Sequence, residues 1–157
     1  MAFRQRVAAP SADQLGARFL VVQLRGTTLG IWADTVRGVL TPADVQENVG
    51  VVLLGESYPH TRLASRLHLG EATLTTESRF ILCGRGQARC VVSVERVLGL
   101  TDIRRQDILP LPAMFQGQER HWYRGVFLFQ SGLAVVLNPD WLLHETETSD
   151  HTLVPMV

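Results

Sequence analysis

The sequence predicts a mainly β protein built from two related β-rich subdomains with short helices. Three observations point there. Short apolar runs alternate with Gly-containing turns along the body of the chain, the pattern of hairpins. The two halves can be laid on each other: Arg18-Phe19-Leu20 falls over Arg79-Phe80-Ile81 and, in the same alignment, Val36 over Val97. A shifted alignment puts Gly50-Val51 over Gly125-Val126, Leu53 over Leu128 and Leu67 over Leu142; the shift implies an insertion of about 14 residues between Leu100 and Gln118.

The elements follow in order. Residues 1–16, with Pro10, Ser11 and Gly16, have no periodic pattern and read as a flexible leader. Phe19 to Leu24 is a strand, Arg25 to Thr28 its turn, and Leu29 to Ala33 the return strand. Val36 to Leu40 has apolar residues at helical spacing, and Pro42 ends any helix there. Val49 to Leu54 is a strand, and Leu63 to Leu69 one or two helical turns stopped by Gly70. The second half repeats the pattern. Phe80 to Cys83 and Cys90 to Val94 flank a Gly84-Arg85-Gly86 turn, and Ile108 to Pro112 is extended by its two prolines. Trp122 to Phe129 and Leu133 to Leu137 are strands around Ser131-Gly132. Asn138-Pro139-Asp140 opens a last helix, with Asn as its cap and Pro at the first helical position. Residues 145–157 read as a polar tail, which leaves 17–144 as the folded body.

Composition narrows the function. The 157 residues are 46% apolar, enough to bury a sizeable core. The 15 cationic side chains are all Arg and are balanced by 15 acids. A zero net charge argues against a nucleic-acid partner and against a polybasic membrane patch. The longest apolar runs, Val51 to Leu54 and Leu133 to Leu137, are far too short to span a bilayer, and no secretory signal follows the first arginines. A cytoplasmic protein with reduced thiols is expected.

The candidate chemistry is thin. Cys83 and Cys90 lie in apolar strands, form no Cys-x-x-Cys motif, and read as core thiols, not metal ligands. His60, His68, His121, His144 and His151 show no helical His pair. His121-Trp122-Tyr123 reads as the entry to a strand, although such a cluster also suits a binding surface. The Gly50–Gly55 and Gly84–Gly86 stretches are turns; a phosphate loop needs a Lys, and the chain has none. Neither a Gly-x-Ser-x-Gly elbow nor a clear Ser-His-Asp set exists. The expectation is a non-enzyme without cofactor or metal. Trp32 either caps the core or anchors a partner.

In order and spacing, these motifs resemble the CheW-like domain. Phe19-x-x-x-x-Leu24, Gly30-Ile31 and Val36-x-x-Val39-Leu40 are similar to the family's opening, a strand pair followed by a helical turn. Arg79-Phe80-Ile81-Leu82 with Val92-x-Val94-Glu95-x-Val97-Leu98 is similar to its second opening. Ile108 to Pro112 resembles its proline connector, and Tyr123-Arg124-Gly125-Val126 through Leu143 its C-terminal signature. The resemblance implies two five-stranded, SH3-like β-barrel subdomains around a shared core. It also implies a bacterial chemosensory adaptor that joins the tip of a methyl-accepting receptor to the regulatory domain of a histidine kinase of the two-component type. Such a protein is recruited to membrane-bound receptor arrays without entering the membrane.

The resemblance raises an apolar stripe, Val36, Val39 and Leu40 with its counterpart Val94, Val97 and Leu98, to partner-binding candidates; packing in the core is the competing role. Val36→Arg is expected to weaken partner capture without unfolding the chain. One segment departs from the family. Where the family has G-V-I-N-L-R-G and later V-I-D, this chain has Gly50-Val51-Val52-Leu53-Leu54-Gly55 and His60-Thr61-Arg62, without the Arg. In the family that Arg lies near the receptor-binding groove. The departure motivates a second reading, a divergent member that binds the kinase but not a standard receptor and serves motility or regulation. A third reading, of another class, is a small β-barrel ligand-binding protein or enzyme, which needs a polar pocket with perturbed groups.

Overall fold

The computed structural model describes residues 16–45 and 50–144. The leader, except Gly16, and the polar tail lie outside the described residues. Among the described residues eleven strands run in the order β1 (Gly16–Leu24), β2 (Thr27–Trp32), β3 (Val36–Leu40), β4 (Val51–Leu53), β5 (Glu56–Tyr58), β6 (His60–Thr61), β7 (Arg79–Arg85), β8 (Ala88–Val94), β9 (Arg96–Arg104), β10 (Tyr123–Phe129) and β11 (Gly132–Leu137). Two short helices, α1 (Leu63–Arg66) and α2 (Glu119–Trp122), join them, and a last helix occupies 139–144.

The strands form a five-stranded sheet ordered β10-β11-β2-β1-β9, a four-stranded sheet ordered β3-β7-β8-β6, and the β4-β5 hairpin. These are open, curled sheets, where the sequence reading has two five-stranded barrels. The mainly β, two-subdomain architecture stands. The internal repeat is visible throughout. β1, β2 and β3 correspond to β7, β8 and β9, and the parallel pair β11–β2 corresponds to the parallel pair β6–β8. The third strand of each set is exchanged: β3 follows β2 but pairs with β7, and β9 follows β8 but pairs with β1. Neither subdomain is complete without a strand from the other half of the repeat.

Strand alternation sorts the apolar side chains into three layers. Phe19, Val21, Phe127, Ala134 and Val136 fill the first subdomain. Tyr58, Phe80, Leu82 and Val91 fill the second. Between the sheets lies the central core, with Leu20, Val22, Leu29 and Ile31 from one side and Ile81, Cys83, Cys90, Val92 and Val94 from the other.

Local chemistry explains the turns. Arg25 and Gly26 both have positive φ, +50° and +81°, as a two-residue type I′ hairpin requires. The final helix starts as its sequence predicts: Asp140 N donates to Asn138 Oδ1 at 3.0 Å, and Leu142 N to Asn138 O. Arg66 then holds its end. Its guanidinium donates to the carbonyls of Trp141 at 3.0 Å and Leu142 at 3.2 Å, and lies 4.0 Å over the Trp141 ring.

Three sequence expectations need correction. Val36–Leu40 is a strand, not a helical turn, and Val94 to Leu98 ends β8 and opens β9. Residues 100–104, assigned to the insertion, belong to β9; the insertion proper follows it and is tied down where Leu109 and Val126 exchange backbone hydrogen bonds. Trp122 ends α2, and the strand begins at Tyr123, with both aromatic side chains buried.

Candidate functional site

Among the described residues β3 is an edge strand, hydrogen-bonded only to β7. Its register runs Val36 opposite Cys83, Gly38 opposite Leu82 and Val39 opposite Ile81. Arg37 is therefore the extra residue of a β-bulge, and a bulge resets the alternation of faces. Val36 and Val39 consequently point to the same face, the one that Cys83 and Ile81 present to the central core. Leu40, opposite Phe80, points the other way into the second subdomain. A spacing of three on one face mimics a helix; here a bulged strand produces it.

The exchanged partner, β9, repeats the device. Val97 stands opposite Val22, Gly99 opposite Val21 and Leu100 opposite Leu20, so Leu98 is the extra residue. Val97 packs on the central core and Leu98 on the first subdomain. Val94 is fully buried in the central core.

The six candidates therefore part company. Val94 is inaccessible in this conformation. Val36 and Val97 are half-buried against the central core, and Leu40 and Leu98 against the outer ones. Val39 is the one that reaches solvent, at 45% exposure. Sequence reading missed Leu100, the counterpart of Val39, which is 63% exposed. The alternation of Leu100, Asp102 and Arg104 against Thr101 and Ile103 is the signal that finds the second half of β9.

Charge distinguishes the two edges. Arg18, on the neighbouring β1, pairs with Asp102 of β9 at 2.9 and 3.3 Å, Arg96 with Glu77 at 3.2 Å, and Arg104 with Asp107 at 3.0 Å. Arg18 holds the Asp102 carboxyl below its ordinary range, chiefly through its hydrogen bonds. Charged residues of this kind guard an edge against pairing. β3 carries one charge, Arg37, beside the exposed Val39. Of these two edges, β3 is the less charged.

The β4-β5 hairpin adds apolar surface. Val51 and Leu53 pack into the second subdomain, while Val52 is 72% and Leu54 94% exposed. Leu54 and Gly55 form the turn at φ +53° and +81°. The turn thus holds an apolar side chain, Leu54, in solvent.

A cleft of about 280 Å³ opens elsewhere on the second subdomain. His60, Arg62, Ser65, Glu71 and Ser93 give it polar walls over Phe80 and Leu63. The groups whose acidity is clearly perturbed within the protein interior, Cys83, Cys90 and Tyr123, do not line it. Among the described residues no group of three or more His, Cys, Asp or Glu side chains is placed to hold a metal ion, and no helix is long and apolar enough to cross a membrane. Trp32 lies on the first core, its ring 4.7 Å from that of Phe19.

Two lobes joined by the exchanged strands β3 and β9, with open sheet edges, define a mainly β fold of two related halves. The chain belongs to the CheW-like domain family: the family model matches residues 18–147. Among solved structures it is similar to the scaffolding protein TtCheW from Thermoanaerobacter tengcongensis, with a TM-score of 0.66 and 16% identity, over 79% of this chain and 90% of that one. At that identity the likeness is one of fold. A search of curated proteins finds no match.

Proposed function

We propose that this chain is a non-enzymatic adaptor that couples a chemosensory histidine kinase to a methyl-accepting receptor in bacterial signal transduction. Family membership over residues 18–147 carries the reading. Val39 on the lightly charged β3 edge is the contact assigned to the kinase's regulatory domain, with Val36 and Leu40 setting the strand from behind and Val97 and Leu98 doing so on the exchanged edge. Val94 supports the central core beneath them. An adaptor of this kind works in the cytoplasm and gains from linkage in an array, where each contact raises the effective concentration of the next. The test is a pull-down from native cytoplasm read by mass spectrometry. Recovery of a histidine kinase with a receptor supports the coupling role; recovery of neither overturns it.

A second reading rests on Leu54. An exposed apolar residue beside the point where the family's Arg is missing favours a chain that keeps the kinase but not a standard receptor, and serves motility or regulation instead. Recovery of the kinase alone, with receptor capture gained in Leu54→Arg, supports this version. Normal receptor binding by the unaltered chain overturns it.

A further inference from the structure

The proposed adaptor role leaves one cluster of reactive groups unused. Cys83 on β7 and Cys90 on β8 stand directly opposite each other across an antiparallel ladder, both fully buried. Directly opposed residues in such a ladder have Cα atoms about 4.5 or 5.5 Å apart, depending on the type of pair. Both spacings fall within the range of about 4.4–6.8 Å that a disulfide spans. The strand spacing itself is thus compatible with a bond between the two sulfurs.

The pair is chemically asymmetric. Cys90 is held below the ordinary thiol range by a hydrogen bond from Cys83, with the Arg66 charge and the Thr61 hydroxyl acting in the same direction against burial. Cys83 is pushed up by its hydrogen bond to Cys90 and by burial. Its proton also has the Ile81 carbonyl within reach, at 3.8 Å. Cys90 is therefore the better nucleophile and Cys83 the resolving thiol. Thr61, beside Cys90, belongs to β6, an edge strand that pairs with β8 at His60–Val91 and Thr61–Val92 and is tied further by Val91 N donating to Pro59 O; local opening of this short ladder is the route left for a small oxidant to the buried thiol.

We propose that Cys83 and Cys90 are a redox site that forms an internal disulfide on contact with a hydroperoxide. The Cys90 thiolate attacks the peroxide: an S–O bond forms, the O–O bond breaks, and the alcohol or water leaves with the proton that Cys90 gave up. The Cys83 sulfur then attacks the sulfenic sulfur of Cys90. The S–S bond forms, the S–O bond breaks, and the departing hydroxyl takes the Cys83 proton as water. Two thiols lose two electrons and one peroxide gains them.

The test treats the full chain with hydrogen peroxide, unfolds it in alkylating agent, and reads the intact mass. The expected result is a monomer two hydrogens lighter, unalkylated at both positions and restored by dithiothreitol. Cys83→Ser is expected to stop at a sulfenic acid on Cys90 that dimedone captures, and Cys90→Ser to give no such adduct. Two alkylated thiols in the treated unaltered chain, or a bond only between chains, overturns the proposal. The unaltered chain decides the matter even where a serine variant fails to fold.

Discussion

Val39 and Leu100 occupy equivalent places on two exchanged edge strands. Each stands three residues beyond an apolar residue on its own strand, Val36 or Val97, and shares its face because a bulge lies between them. Both end exposed at a margin of the central core, and they differ in the charges around them. That difference, with the burial of their neighbours, sets the first prediction.

Val39→Arg is expected to weaken capture of the kinase while changing stability by no more than about 0.5 kcal/mol, as an exposed substitution does. Val36→Arg is expected to cost about 3 kcal/mol, because it places a charge against the central core beside Cys83. The structure thus moves the clean test from Val36 to Val39. Thermal melts run beside the pull-down separate lost binding from lost fold; equal capture by Val39→Arg and the unaltered chain removes Val39 from the interface.

Leu54 pays a steric penalty at φ +53° without burying its side chain. Leu54→Asn is expected to stabilise the chain by about 0.5–1 kcal/mol, since Asn-Gly suits a type I′ turn and Asn tolerates the left-handed region. Chemical denaturation measures it. A loss of stability would mean that Leu54 packs against something in solution.

Gly125 has no room for a side chain. A Cβ there would meet the Leu109 carbonyl oxygen at 2.6 Å, a backbone atom that cannot swing aside. Gly125→Ala is expected to cost about 1–3 kcal/mol and to release the 108–112 segment from β10. Faster hydrogen exchange at the Leu109 and Val126 amides is the specific sign, since each donates to the other residue's carbonyl.

Arg66→Met keeps length and apolar stem but removes the donors to Trp141 and Leu142. The expected loss is about 1–3 kcal/mol, with amide exchange rising first in 139–144. Unchanged exchange there would show that Trp141, Leu142 and Leu143 hold the helix by packing alone.

Burial pushes the Tyr123 phenol up to about 12, and the nearby Glu119 charge acts in the same direction. The folded state therefore favours the neutral phenol. Its contribution to stability is complete below the unfolded value of about 10 and is lost as pH rises from there toward the folded value. Phenolate absorbance is expected to show a late component that disappears in Tyr123→Phe. Loss in Tyr123→Phe of a component near the ordinary value of about 10, with no late one, would place the phenol in contact with water.

Much of this protein was legible from residue order alone. The hairpin around Arg25-Gly26, the Asn138 cap and the repeat relating Phe19 to Phe80 all rest on local physics: turn stereochemistry, capping geometry and the two-residue period of a strand. Ordered motifs from Phe19 to Leu143 also pointed to the CheW-like family, which the match over 18–147 bears out. What local sequence could not supply was the exchange of β3 and β9 between the sheets. A strand's partner is chosen by burial and backbone pairing over long sequence separations, and Val36 carries no mark that it belongs beside Cys83. The bulges at Arg37 and Leu98 hid the strands further, because an extra residue turns a period of two into a spacing of three that reads as helix. Exposure of Val39 and Leu100 and burial of Val94 follow from that pairing, so the tertiary structure alone decided them, whereas the meeting of Cys83 with Cys90 belongs to the local β7–β8 hairpin.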